Sequence, residues 1–440
     1  MSAGSGGGSA VAGIGRSGGA APSATVVVDR AALRRQRLLG LLFLATAAVI
    51  AGIFGATVPQ DASSTFGLNP IGKAAIPLPD LVVPSAPVAY LLAGVAAFLG
   101  AVQLVRGFGP RTALVLAVVV VAFIFGFLTW AAAGKSMSLL GVLQTTIARA
   151  VPITLGALSG VLCERAGVVN IAIEGMLLSG AFTAAVVTSV SGNVWLGLAA
   201  ATLVGGILAA VLAVLAIRYL VDQIIAGFVI NIFAVGITSF VSTRILQVTP
   251  ELNTPGRMGP FLVPVLSDIP IIGPLFFSAN IFVYGMFLLI AVIHVALFST
   301  RYGLRVRAVG EHPRAADTVG IDVLFTRYRN VILGGLVAGF AGAYFTIGST
   351  GGFEREMTAG RGFIGLAAMI FGGWTPIGSF FAGLVFGFAD TLQARLSILN
   401  IPIQSEFLLM VPYVVTIIVV AGLVGRVRAP AADGRPYKKE

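Results

Sequence analysis

Long apolar runs separated by short polar stretches dominate the chain from residue 38 to residue 425. They fall at 38–58, 86–105, 112–131, 148–163, 169–190, 194–217, 223–245, 279–299, 329–349, 362–373, 376–395 and 404–425, about twelve in all. Most approach the roughly 20 apolar residues that a helix needs to cross a bilayer. The run at 362–373 is too short for that, and the break Gly372-Gly373-Trp374-Thr375-Pro376 follows it. Others are interrupted by glycine, so re-entrant segments are expected among them. The pattern predicts an all-α polytopic membrane protein with about 10–12 transmembrane helices, short and re-entrant segments included.

The longest interior polar interruption with a strong charge bias is STRYGLRVRAVGEHPRAADTVGIDVLFTRYR, from Ser299 to Arg329. Arg301, Arg305, Arg307, Arg314, Arg327 and Arg329 lie in it or at its edge. Loops this rich in arginine stay on the cytoplasmic side. Pro313 is suited to start a short helix over Arg314-Ala315-Ala316-Asp317, and Gly320 to end it. A short cytoplasmic helix on a membrane protein is a docking surface.

Composition agrees with the pattern. Of 440 residues, 57% are hydrophobic and only 10% charged, and the mean hydropathy is +0.99. A soluble domain carries about a quarter charged residues. The net charge of +11 does not call for nucleic acid, because the basic residues sit in short loops between spans. There they are accounted for by topology and anionic membrane lipid. With the N-terminus inside and twelve crossings, twenty of the 28 lysines and arginines fall inside, so both termini are expected to be cytoplasmic. The proline-rich stretch 246–278, poor in positive charge, is then external. Residues 1–29 are rich in Gly, Ala and Ser and are expected to be disordered. No secretory signal is read there, since the first apolar run follows Arg34, Arg35 and Arg37 and is long enough to span.

Polar groups inside apolar runs are costly and are therefore the candidates for chemistry. Asn170 and Glu174 stand four apart, which would place them on one helix face. Glu174 reads equally as an acceptor for a solute's hydroxyls and as a helix-entry carboxylate favoured by the dipole. Asn170 reads first as a helix-start residue. Asn231, in FVINIFAVG, serves helix–helix hydrogen bonding as well as it would a ligand. Asp390 and Gln393, three apart in FADTLQARL, lie near the outer end of their run, where solvation is the simpler account. Glu164–Ala184 and Glu356–Gly383 share a loose pattern of charge and glycine before a broken apolar run, which suggests an internal repeat.

The missing motifs narrow the function. No complete GxxxxGK[ST] loop exists; the nearest stretch, Gly67 to Lys73, is followed by Ala74. The GxSxG match at Gly15–Gly19 lies in the glycine-rich tail, without the strand and helix of a nucleophile elbow. Cys163 is the single cysteine, so a disulfide framework and a thiolate cage are excluded, and it reads as a small apolar residue near a helix end. His294 and His312 are far apart, and no metal site is expected. An enzyme has little support.

The run RAADTVGI carries Ala315-Ala316, three residues and Gly320, the spacing of the cytoplasmic loop of ABC importer permeases, with Arg314 at the place of the usual glutamate. Together with AVGEHPRAADTVGID, ERAGVVNIAIEGMLLSGAF and GRGFIGLAAMIFGGWTPIGSFFAGLVFG, it resembles the branched-chain amino-acid/monosaccharide permease family, in its simple-sugar and nucleoside branch. The likeness covers about residues 138 to 425. The resemblance implies the permease subunit of an ATP-driven importer in a bacterial inner membrane, moving nucleosides or related sugars. Its implied partners are a cytoplasmic ATP-binding subunit, a second permease of different sequence, and an external solute-binding lipoprotein. No cofactor is implied in this chain, and ATP with magnesium would be held by the ATP-binding subunit.

The same resemblance implies that Gly310, Glu311, Pro313, Arg314, Ala315, Ala316, Asp317 and Gly320 couple the chain to that subunit. It also implies that the segment bearing Asn170 and Glu174 approaches the translocation path. The expected organisation is a basic cytoplasmic tail at 1–37, membrane helices at 38–135, a permease core at 136–426 with its coupling loop at 300–329, and a cytoplasmic tail at 427–440. The competing reading is an ion-coupled secondary transporter, which would also show broken helices and buried carboxylates.

Overall fold

A computed structural model describes residues 30–70, 76–398, 410 and 428–439. The glycine-rich tail 1–29 and most of the apolar run 404–425 lie outside them. The chain divides into two compact units, one of residues up to Gln60 with Ala86–Leu128, the other of Asp61–Ser85 with Thr129–Glu440.

The smaller unit is built from α1 (Arg30–Val49), α2 (Ser85–Val105) and α3 (Thr112–Ala131). Helix α1 begins at Arg30 rather than at the edge of its apolar run, so Arg34, Arg35 and Arg37 are helical. A π-turn, Ile50–Gly55, continues it, and Phe54 there packs on Phe123 and Phe127 with ring centroids 5.5 Å apart in each case.

The larger unit opens with a small sheet that alternation did not reveal. Its strands β1 (Ser63–Gly67), β2 (Leu81–Pro84) and β3 (Ser136–Ser138) run in the order β2-β1-β3, antiparallel and then parallel. Thus 61–85 joins the core that follows. The helices are α4 (Leu139–Glu164), α5 (Ile173–Ser191), α6 (Val194–Ala213), α7 (Gln223–Val241) and α8 (Ile281–Ser299). After them come α9 (Arg301–Glu311), α10 (Pro313–Thr318), α11 (Val323–Phe345), α12 (Arg361–Phe371) and α13 (Pro376–Ile398). Two more short strands, β4 (Phe261–Leu262) and β5 (Ser278–Ala279), pair in the 246–280 connection.

Among the described residues, ten helices are long and apolar enough to cross a membrane. They correspond to ten of the apolar runs, and the short run at 362–373 is the 11-residue α12. In the larger unit, two helices start well ahead of their apolar runs. Helix α4 starts at Leu139, nine residues before its run: Ser138 caps it by accepting from Gly141 N at 2.9 Å, and Gln144 in its polar first turns donates to the Pro274 carbonyl at 3.0 Å. Helix α11 starts at Val323, capped by Asp322, which accepts from Phe325 N at 2.9 Å. The core forms where α11 lies against α4, α5 and α6, and α13 against α4. Close approach there requires small residues. A Cβ at Gly339 of α11 would meet the Ala201 carbonyl of α6, and one at Gly180 of α5 would meet the Gly339 carbonyl.

Candidate functional site

Two helices in the core start abruptly, and each is capped by a neighbour. The stretch between α4 and α5 turns at Gly167 (φ +83°) and runs without helix through Ala172. Asn231 of α7 meets the α5 end: its Oδ1 accepts from Gly175 N at 2.8 Å, and its Nδ2 donates to the Ile171 carbonyl at 2.9 Å. The stretch between α11 and α12 is likewise irregular, with Glu356, Ala359 and Gly360 at φ +53°, +46° and +76°. Helix α12 has no cap of its own. Glu174 of α5 supplies it. Its Oε1 accepts from Thr358 Oγ1 at 2.6 Å and Gly360 N at 2.8 Å, and its Oε2 accepts from Gly362 N at 2.6 Å. A carboxylate at a helix N-terminus satisfies orphan donors and complements the dipole. Both oxygens are engaged by this chain's own donors, so a solute would have to displace one of them.

Asn170 departs from the helical spacing read from the sequence. It lies before α5, in the non-helical stretch, so it shares no helix face with Glu174. Fully buried, it donates to Cys163 Sγ at 3.4 Å and sits 3.8 Å from Met176 Sδ. Its Oδ1 has no partner among the described residues. Cys163 is buried one residue from the end of α4.

Asp390 of α13 is held by two arginines instead of by solvent alone. Arg149 of α4 approaches Oδ2 at 2.8 Å and Arg361 of α12 at 3.2 Å, while Arg149 also donates to the Asp390 carbonyl at 3.0 Å. The Arg361 guanidinium stands 5.7 Å from the Phe345 ring centre. Two cations share one carboxylate, so this partly exposed cluster carries a surplus positive charge. Gln393 lies one turn further along α13, half-buried. Neither arginine is marked by the sequence pattern, because the partner carboxylate lies 241 positions from Arg149 and 29 from Arg361.

The C-terminal end of α4 fixes the turn between α12 and α13. Trp374 Nε1 donates to Glu164 Oε2 at 2.6 Å, while Arg165 donates to the carbonyls of Trp374 at 2.8 Å and Gly373 at 3.1 Å. Trp374 has φ +52°, a strained conformation for a bulky residue that these bonds hold in place. Burial lowers the pKa of Arg165 from its ordinary value, and nearby Glu311 opposes the shift.

At the same end, the Ser299–Arg329 stretch is helical through most of its length. Thr300 caps α9 by accepting from Gly303 N at 3.2 Å. His312 Nδ1 accepts from Ala315 N at 3.1 Å, Pro313 opens α10, and Gly320 at φ +82° closes it. The basic residues divide by environment. Arg327 is in α11 and only 1% exposed, while Arg329 stacks 4.3 Å from the Tyr302 ring centre and Arg307 5.3 Å from that of Phe298. Burial raises the Tyr302 hydroxyl's pKa, against the pull of Arg329. Arg314, Ala315 and Thr318 are exposed with Gly320, and Asp317 is half-buried. Ala316 faces inward, in a small apolar cluster with Val309, Val323 and Tyr437.

Tyr437 belongs to a segment that the sequence marks only as a tail. Residues 428–439 lie back on α9–α11. Ala432 N donates to the Gly310 carbonyl at 2.9 Å, Ala431 N to Glu311 Oε2 at 3.2 Å, and Arg327 Nη1 to the Arg435 carbonyl at 3.0 Å. Gly310 and Glu311 therefore grip this segment. Asp433 faces Glu164 of α4 and Arg327 of α11, and burial pushes its pKa up to about 6. A carboxyl with a raised folded-state value binds its proton more readily when docked, so its contribution to docking falls as pH rises from about 4 to 6 and levels off above. Protection of 428–439 from carboxypeptidase is therefore expected to be greater at pH 5 than at pH 7. Asp433→Asn should flatten that difference; an unchanged profile would rule out Asp433 as its source.

A helical bundle of this hydropathy, with cross-capped broken helices and a basic helical face at one end, is a multi-pass membrane protein. Residues 142–420 match the model of the family described as branched-chain amino acid transport system / permease component, and the chain belongs to that family. It is similar to the guanosine ABC transporter permease protein NupQ of Bacillus subtilis (strain 168), 39% identical over 309 residues, 68% of this chain and 96% of the relative. It is also similar to the nucleoside ABC transporter permease protein NupC of Lactococcus lactis subsp. cremoris (strain MG1363), 36% identical over 318 residues, 69% and 99% of the two chains. A putative glucose ABC transporter permease protein, TsgC13 of Haloferax volcanii, is 35% identical over 270 residues, 60% and 80%. No solved structure matches. The chain is thus the permease subunit of an ABC importer, a transport component of the bacterial inner membrane and not the enzyme of the system.

Proposed function

We propose that this permease moves nucleosides inward, powered by ATP hydrolysis in a separate ATP-binding subunit that holds the magnesium and nucleotide. The observation that carries the reading is its similarity to the guanosine and nucleoside permeases across nearly their whole length. Helix α10 supports it, as a short, outward-facing helix suited to seat that subunit through Arg314, Ala315 and the residues around Gly320. We place both termini and α10 in the cytoplasm, in line with the basic residues between spans. A second permease of different sequence and an external solute-binding lipoprotein complete the proposed importer.

In this reading the translocation path runs beside the start of α12. Glu174 and Asn231 act by holding the broken helices in place. Asp390, with Arg149 and Arg361, presents the polar wall, and Gln393 extends it. Asn170, fully buried against Cys163 at the C-terminal end of α4, takes no part in that wall.

Reconstitution tests the proposal. Proteoliposomes holding both permeases, the ATP-binding subunit and the lipoprotein are expected to take up radiolabelled guanosine with ATP, with competition by other nucleosides and little by ribose or glucose. This chain alone is expected to hydrolyse no ATP and to show no uptake in a sodium or proton gradient. Gradient-driven uptake by the lone chain would establish the secondary-transporter reading instead, and stronger competition by glucose would replace nucleosides by sugars.

A further inference from the structure

Helix α10 is six residues long, too short to hold its shape unaided. Its one buried residue, Ala316, rests on Tyr437, Val309 and Val323. Segment 430–439 therefore forms the floor beneath α10, and it then continues alongside the helix. Between the two lies an open cleft of about 960 Å³. Its walls carry His312 and Arg314 on one side and Arg435, Lys438 and Lys439 on the other, with Glu311 at its base. Glu311 is occupied by Ala431 N, and Asp317, near the rim, lies 3.8 Å from Lys439. Four cations against the two carboxylates Glu311 and Asp317 leave the cleft with a net positive charge.

We infer that this cleft is a second contact for the ATP-binding subunit, and that it receives an acidic segment of that subunit while α10 receives the main docking contact. The inference rests on the importer reading above. Charge complementarity selects an acidic occupant, and position selects the subunit. Anything seated on the exposed side of α10 covers the cleft mouth, because His312 and Arg314 belong to both. Arg435 and Lys438 are exposed, which suits rim charges that steer a partner and set its orientation more than they add bulk affinity. The segment thus has two roles, as a floor for α10 through Tyr437 and as a charged wall through Arg435, Lys438 and Lys439.

The test titrates the importer's ATP-binding subunit onto the paired permeases in nanodiscs of neutral lipid. Three forms of this chain are compared: unaltered, Arg435→Glu/Lys438→Glu, and Val319→Asp. Val319, 74% exposed just past α10, reports the docking contact itself. The double charge reversal is expected to weaken binding about tenfold at low salt, with the difference closing near 1 M salt, where charges are screened beyond about 3 Å. A short oligoglutamate peptide should compete with the subunit on the unaltered chain and fail to compete on the reversed one. Thermal melting of each permease pair checks that folding is retained.

If Val319→Asp weakens binding and the charge reversal does not, the cleft inference is overturned while the docking reading stands. If neither weakens it, α10 is not the docking helix and both readings fall. Should the reversal affect only adhesion to vesicles containing phosphatidylglycerol, with subunit binding unchanged, the cleft serves anionic lipid and the inference is overturned.

Discussion

Gly320→Pro is expected to abolish ATP-driven uptake while both permeases still assemble in the membrane. Gly320 has φ +82°, and its N–H donates to the Asp317 carbonyl at 2.9 Å, closing the last turn of α10. Proline locks φ near −65° and has no N–H, so both features are lost at once. The turn must then open, moving α10 off Tyr437 and away from α11. Gly320→Ala keeps the N–H and meets only the left-handed backbone penalty of roughly 1–2 kcal/mol, so partial uptake should remain. Ala316→Glu acts on the same seat from below. Its carboxylate would enter the cluster of Val309, Val323 and Tyr437, where an unpaired charge is costly, and would lift α10 out of position. The measurement is uptake beside ATP hydrolysis in the full complex. Hydrolysis without uptake, or loss of subunit binding, is the expected result; normal uptake by Gly320→Pro would remove α10 from the coupling path.

Glu174→Gln is expected to lower both uptake and the melting temperature of the permease pair. The glutamine amide can replace only one acceptor oxygen, and its NH₂ then faces Gly360 N or Gly362 N, each a donor. One buried N–H at the start of α12 loses its partner, at about 1–3 kcal/mol. By that magnitude, uptake should fall roughly tenfold if the start of α12 must be ordered for transport. Substrate capture by the external binding protein should be unchanged. A fall in uptake with unaltered melting would instead make Glu174 a direct solute ligand, and normal values of both would leave it with neither role.

How far these features can be read from sequence follows from the range of the interactions. Helix α10 was legible because Pro313 and Gly320 act within a few residues of where they stand, and α12 because a run of that length cannot span. The family, too, was legible, since its motifs are local. Helix α9 was hidden by its own arginines, which read as a loop until Phe298 and Tyr302 are seen to stack against Arg307 and Arg329. The start of α11 was marked by Asp322, a cap signal that the hydropathy pattern outweighed. Thr358 and Gly360 stand more than 180 positions from Glu174, and Asp390 stands 241 from Arg149. No periodicity links residues so far apart. The segment 428–439 looked like a solvated tail because its apolar content is slight, and its docking rests on backbone hydrogen bonds and one tyrosine.

The paired caps also limit how this permease can move. Asn231 ties α7 to the start of α5, and one residue earlier Glu174 ties α5 to the start of α12. At the other end of α12, Glu164 and Arg165 tie its exit turn to α4. A hinge between any two of these helices would have to break short, buried hydrogen bonds in every transport cycle. Helices α4, α5, α7 and α12 are therefore expected to travel as one rigid body. The sliding boundary that opens the path, first to one side of the membrane and then to the other, is then left to the seam with the second permease proposed above. Crosslinks between α5 and α12 should then leave transport intact, and crosslinks across that seam should stop it.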